Sequence, residues 1–268
     1  MSSQERSIEI DDTVIAFTDQ GSGPVIVLLH GHAYDRSMWN AQVPALVEAG
    51  WRVIAPDLRG FGDSAVTEGI VHTEEFSNDL ALLLDELGVE TAVVLGFSMA
   101  GQIAMQFAHD HADCLRGLVI CDTVPEAEDR AGRRRRHVGA DAILADGMDA
   151  YAEKVLSVMV SPQTIEQKPE TAEAVRAMIA AAPAEGSAAS MRGRASRQDF
   201  RQLLPALQLQ SLVIVGEDDA FDNGAGQRMA EALPQGRLVT IPGAGHTPPM
   251  ETPQEFTDAL VSFLSQLD

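Results

Sequence analysis

The stretch Val93-Val94-Leu95-Gly96-Phe97-Ser98-Met99-Ala100-Gly101 decides how the rest of the chain is read. A continuous β-rich run turns sharply at a serine and passes at once into a helical pattern. A serine at such a turn is held in a strained backbone conformation that lifts its hydroxyl off the sheet edge. Strand and helix nearly touch there, so the residues two positions either side have to be small; they are Gly96 and Ala100. The helix N-terminus then aims its dipole and unpaired N–H groups at whatever the hydroxyl attacks. A serine among small residues also makes an ordinary helix cap. Reading Ser98 as a nucleophile therefore needs partners elsewhere in the chain.

Short apolar runs of the same kind occupy residues 25–29, 52–55, 92–95, 117–121, 212–215 and 238–241. None alternates between apolar and polar, which predicts parallel strands covered on both faces. Helical patterns fall between them, at 73–87, 99–109, 224–233 and 253–267. The first carries Phe76, Leu80, Leu83, Leu84 and Leu87 as one apolar stripe. Pro253 suits the first turn of the last, where a missing N–H costs nothing. This alternation predicts an α/β fold with a mostly parallel, doubly wound sheet. Residues 8–10 and 14–18, around Asp11-Asp12, predict an antiparallel hairpin leading into it. From about 126 to 204 the strand pattern stops, and the composition predicts three or four helices. Residues 1–125 and 205–268 then form the core, and 126–204 an inserted helical lid.

A hydroxyl is a poor nucleophile at neutral pH and needs a base that is itself held by an acid. Ile241-Pro242-Gly243-Ala244-Gly245-His246 places a histidine in a glycine-rich loop just past a strand. Val215-Gly216-Glu217-Asp218-Asp219 sets carboxylates just past another. Taken singly, these are a loop histidine and the caps of a following helix. With Ser98 they follow one of the known triad orders, all at the carboxyl ends of parallel strands, where open α/β sheets form their sites. Val27-Leu28-Leu29-His30-Gly31-His32 ends a further strand in a His-Gly turn. Acyl transfer needs two donors aimed at an oxyanion, and the N–H groups of His32 and Met99 are the candidates. His30 reads as a brace for that loop.

The formal net charge is −21, from 40 acidic and 19 basic side chains, which repels phosphate backbones and anionic lipid heads. Nucleic acid and membrane surfaces are therefore not expected partners. Apolar runs of about five residues exclude a spanning helix, which needs about twenty. The polar stretch 1–10 shows no secretory h-region. Cys114 and Cys121 make no disulfide framework and read as buried thiols of a reducing cytoplasm. Arg133-Arg134-Arg135-Arg136 reads as a solvated helix face. His109-Asp110-His111-Ala112-Asp113 imitates a metallohydrolase motif, but it falls at a helix end without a third histidine. Met148, Met159, Met178 and Met191 suit either an adaptable pocket or helix packing. Oligomeric state leaves no mark in the sequence.

The assembled motifs resemble the α/β-hydrolase superfamily over nearly the whole chain. They are the His-Gly turn, Asp57-Leu58-Arg59-Gly60-Phe61-Gly62-Asp63-Ser64, the serine turn, Gly216 to Asp219, and Gly243 to His246. The likeness is to 3-oxoadipate enol-lactonase-like hydrolases and cofactor-free haloperoxidase-type esterases. It implies a Ser98–Asp219–His246 triad, with Asp219 preferred to Asp218 as the second acid of a Gly-Glu-x-Asp pattern. It also implies a small ester or lactone substrate, with no cofactor and no metal. Asp122 is a stand-in acid at the position some relatives use. Two residues depart from the pattern: Ala100 replaces a usual glycine, and His32 a usual apolar residue. His32 reads as either a substrate contact or a solvated loop histidine. Relatives that act as ligand receptors, or that cleave C–C bonds, are the alternatives that fold alone leaves open.

Overall fold

In the computed structural model, which describes residues 5–267, strand β3 (Val25–Leu29) lies in parallel register with β5 (Ala92–Phe97), pairing Leu29 with Gly96. The loop after β3 and the serine turn after β5 therefore leave the sheet side by side. From β3 the chain first runs outward to β4 (Arg52–Pro56), then returns to β5 on the opposite flank. That reversal is the switch point at which open α/β sheets bind ligands. Antiparallel β1 (Glu5–Ile10) and β2 (Thr13–Gln20) extend the sheet beyond β4. On the far side, β6 (Leu115–Cys121), β7 (Ser211–Gly216) and β8 (Gly236–Ile241) follow in parallel. The order is β1-β2-β4-β3-β5-β6-β7-β8.

The unbroken apolar runs are explained by two cores, one on each face. Val27, Leu29 and Val94 pack with α2 (Thr73–Glu86), α3 (Met99–Asp110) and α8 (Ala225–Ala232). Ile26, Leu28, Val93 and Leu95 face the other way, toward α1 (Gln42–Glu48) and α10 (Pro253–Leu264). Among the six apolar runs, two-sided covering fails only at β8, half-exposed because it closes one sheet edge. Between β6 and β7 stand four helices: α4 (Arg130–Met159), α5 (Pro162–Gln167), α6 (Pro169–Ala181) and α7 (Ala184–Arg194). Gly147, at φ 83°, breaks α4 internally. A short helix, α9 (Pro248–Glu251), follows His246. No helix among the described residues is long and apolar enough to cross a membrane.

Backbone proximity sets the insertion on the core. A side chain at Gly186 in α7 would collide with the carbonyl of Gly60. The segment 57–64 is a brace: Asp57 is fully buried and accepts the N–H groups of Arg36 and Asp63, while Arg59 grips Asp79 through two bonds of 2.6 Å. Two expectations, one for a thiol and one for an arginine, need adjustment. Cys121 is buried, but Cys114 is only partly so. Arg133, Arg134 and Arg135 are exposed as expected, whereas Arg136 turns inward to Glu128 at 2.9 Å. The 109–113 segment closes α3, where Asp110 accepts from Ser77, Gln106 and His109.

Candidate active site

Ser98 has φ 54° and ψ −112°, a left-handed conformation that costs a non-glycine residue of order 1–3 kcal/mol. It is tied down on both sides: its N–H donates to Cys121 O at 2.8 Å, and its carbonyl accepts the Gly101 N–H at 3.1 Å. Gly96 is required because any Cβ there would strike the Ala100 carbonyl. Ala100 itself is fully buried in the core, so its extra methyl is accommodated within α3.

His246 is 4% exposed and reaches the serine across the rim. Its Nε2 lies 2.8 Å from Ser98 Oγ and its Nδ1 lies 2.9 Å from Asp219 Oδ1. Asp219 therefore meets the imidazole, while Asp218 is exposed and binds through its own N–H to Ala244 O. Phe97 and Phe221 flank the imidazole ring, with centroids at 5.3 and 4.7 Å. Burial alone raises the Asp219 carboxyl; the hydrogen bond and charge of His246, with the Phe221 N–H, outweigh it and hold Asp219 below its ordinary value.

Behind this pair lies a second acid. Asp122, itself at φ 45°, accepts the Gly216 N–H at 2.8 Å and the Cys121 thiol at 2.8 Å. Burial, then the charge of Asp219, pushes its carboxyl well above the ordinary range. Asp219 Oδ2 is buried with no other donor, and the raised Asp122 carboxyl is the neighbouring acid that bears on it. One oxygen from each acid and one nitrogen of His246 lie within 4.8 Å of one another. Both His246 nitrogens and both Asp122 oxygens are already engaged, an arrangement suited to passing and holding a proton.

The His-Gly turn approaches the same point. A Cβ at Gly31 would lie 2.8 Å from the Phe97 ring and 3.3 Å from Ser98 Cβ. His30 braces the turn: its Nδ1 donates to Gly31 O, and its Nε2 accepts the Leu58 N–H. The N–H groups of His32 and Met99 donate to no protein acceptor among the described residues. The His32 ring is not solvated, contrary to one of the two expectations for it. Its Nε2 bonds Ser187 O at 3.0 Å, its Nδ1 faces the Tyr151 hydroxyl at 3.4 Å, and burial followed by the charge of Arg194 lowers it to about 3. With both nitrogens spent on the insertion, the neutral ring ties α4 and α7 to the turn and offers substrate no free nitrogen.

Residues that no motif singles out hold the histidine loop. Glu251 is 1% exposed and accepts the N–H groups of Gly245 and Thr247 on one oxygen, each at 3.0 Å. Its other oxygen takes the Ser161 N–H and the Thr164 hydroxyl, each at 2.7 Å. Tyr34 adds a bond to the Thr247 hydroxyl at 2.9 Å.

A family model described as alpha/beta hydrolase fold matches residues 24–253. The structure is similar to that of a thermophilic esterase from Thermogutta terrifontis, solved with malate bound, at a TM-score of 0.94 and 38% identity over 99% of both chains. It is similar to the enol-lactonase from Burkholderia xenovorans LB400, with a TM-score of 0.89 and 28% identity over 97% of this chain and 100% of that one. A bromoperoxidase from Bacillus anthracis aligns with a TM-score of 0.86 and 26% identity over 99% and 100%. With a family match this long, and relatives that share both the sheet and its helical insert, the chain belongs to the alpha/beta hydrolase fold family.

Proposed function

We propose that this protein is a serine hydrolase that cleaves a small carboxylic ester or lactone through an acyl-enzyme. The observation that carries this reading is the continuous relay from Ser98 Oγ through His246 to Asp219, with links of 2.8 and 2.9 Å. His246 Nε2 takes the hydroxyl proton as Oγ attacks the carbonyl carbon. Asp219 holds the imidazole in the required tautomer and stabilises the imidazolium. Negative charge developing on the carbonyl oxygen is met by the His32 and Met99 N–H groups, both spare donors beside Ser98. The imidazolium then protonates the leaving alkoxide. Water, deprotonated by the same nitrogen, attacks the acyl carbon and releases the acid and Ser98. This sequence of proton transfers uses only groups of the chain. Resemblance to the esterase and the enol-lactonase supports the substrate class.

The test is a panel of esters, lactones and thioesters of graded acyl length, run with wild type and Ser98→Ala. Ser98→Ala should fold normally and lose about 10⁴-fold or more in kcat. Hydrolysis retained in that variant, with contaminating activity excluded, overturns the proposal. Turnover that stops at one equivalent of product points to a ligand receptor instead.

A further inference from the structure

The peptide unit that carries the His32 N–H has two ends, and different parts of the molecule hold them. In a planar trans peptide the His32 N–H and the Gly31 carbonyl point in opposite directions. Fixing that carbonyl and the Cα of His32 therefore fixes the aim of the N–H. The carbonyl end is held from within the turn, where Gly31 O accepts from His30 Nδ1 at 2.8 Å and from the Tyr34 N–H at 3.3 Å. The Cα end is held through the His32 side chain. Its Nε2 lies 3.0 Å from the Ser187 carbonyl, and a carbonyl only accepts, so Nε2 carries the proton and Nδ1 is bare. The Tyr151 hydroxyl, 3.4 Å away, is then the donor toward Nδ1.

Both side-chain partners belong to the insert, and both are themselves fixed. Ser187 is fully buried in the first turn of α7, one residue past the contact of Gly186 with Gly60. The rings of Phe61 and Tyr151 stand nearly perpendicular to the imidazole, with centroids at 6.0 and 5.7 Å. Phe61 is fully buried and also packs against His30 at 5.5 Å, so the core and the insert grip the turn at one place. The relay of Ser98, His246 and Asp219 needs no polar side chain at position 32, and an apolar one there would escape the cost of burying an imidazole. What the imidazole adds is direction. We propose that the His32 side chain is a positioning residue: by bonding α7 it aims its own backbone N–H at the oxyanion, so that the insert completes the oxyanion hole. This inference rests on the serine-hydrolase reading and adds the residue through which the insert governs the rate.

Three variants separate aim from bulk. His32→Phe keeps a ring and loses both bonds. His32→Gln places an amide nitrogen near the position of Nε2, within reach of the Ser187 carbonyl, whereas the amide of His32→Asn stops near Nδ1. Each is assayed with 4-nitrophenyl butyrate and with two inhibitors, 1,1,1-trifluoropentan-2-one, whose adduct with Ser98 places an oxyanion in the hole, and pentan-2-one, which forms no such adduct. Losing an oxyanion donor outright costs roughly 10²–10³-fold in kcat, so a donor kept but misdirected should cost about 30-fold. His32→Phe and His32→Asn should show that loss in kcat with KM within about twofold of wild type, and His32→Gln should recover to within about fivefold. Affinity for the trifluoromethyl ketone should fall in step with kcat, and affinity for pentan-2-one should hold. Equal activity of the Gln and Asn variants overturns the proposal, and that pair decides the matter if His32→Phe does not fold. Equal weakening of both ketones also overturns it, since a merely structural role distorts the whole site. Ser98-dependent hydrolysis that is indifferent to position 32 defeats this inference alone. Hydrolysis that survives Ser98→Ala defeats the reading beneath it.

Discussion

At the rim of the sheet, Ser98, His246, Asp219 and Asp122 answer one another in a single chain of contacts. Across the seam with α4–α7, Arg136, Arg194 and Arg197 crowd around Glu128. The rim is held by backbone: a Cβ at Gly216 would strike the carbonyl of Gly245, so the acid and histidine loops lie carbonyl against Cα. The seam is held by long side chains, each with several rotamers to lose on ordering. Chemistry that needs fixed geometry is thus built where the backbone is in contact.

Glu251 is a carboxylate that serves both regions, binding the histidine loop with one oxygen and the N-terminus of α5 with the other. Replacing it with glutamine turns an acceptor into a donor that faces donors already in place. Leaving buried N–H groups opposed in this way costs about 3 kcal/mol. Glu251→Gln should therefore lower the melting temperature by roughly 6–10 °C and reduce kcat by displacing His246. A scanning calorimetry trace with an unchanged midpoint breaks the idea that one side chain couples rim and seam.

Much of the rim is legible in the sequence because its constraints are local. Gly96 and Ala100 announce the serine turn, and the run 25–29 shows a strand buried on both faces. Glu251 is not legible, since its four donors come from residues 161, 164, 245 and 247, brought together only by the fold. Arg194 follows Arg192 in the last turn of α7, where basic residues are ordinary partners of the helix dipole. Only tertiary burial separates the first from the second. Helix α1 escapes periodicity because it spans seven residues with Pro44 near its start, too short for a stripe.

Asp122 sharpens the account of the rim. If it is neutral, Asp122→Asn keeps both a donor toward Asp219 and an acceptor for the Gly216 N–H. The acidic limb of the kcat/KM profile should then stay within about 0.3 pH units of wild type. An ionised Asp122 gives the opposite result: losing a negative charge beside the relay would move that limb down by about one unit. Asp122→Ala strands the Gly216 N–H and should cost about tenfold in kcat, near 1.4 kcal/mol. A full titration of hydrolysis for the three proteins separates these cases.

The smallest effect belongs to the seam. Burial raises the half-buried Glu128, but its bonds to Arg197 and Arg136 and their charges prevail and bring it to about 2, from an ordinary 4.5. Because the folded value lies below the unfolded one, the stabilisation is fully present above pH 4.5 and disappears as the pH falls through about 2. Solvent screening of this partly exposed network reduces the nominal linkage to about 1 kcal/mol. Glu128→Gln should thus melt roughly 2–4 °C below wild type at pH 7, and the gap should close steadily as both proteins are acidified from pH 5 toward 2. A gap that stays constant with pH would place the stabilising charge outside this network.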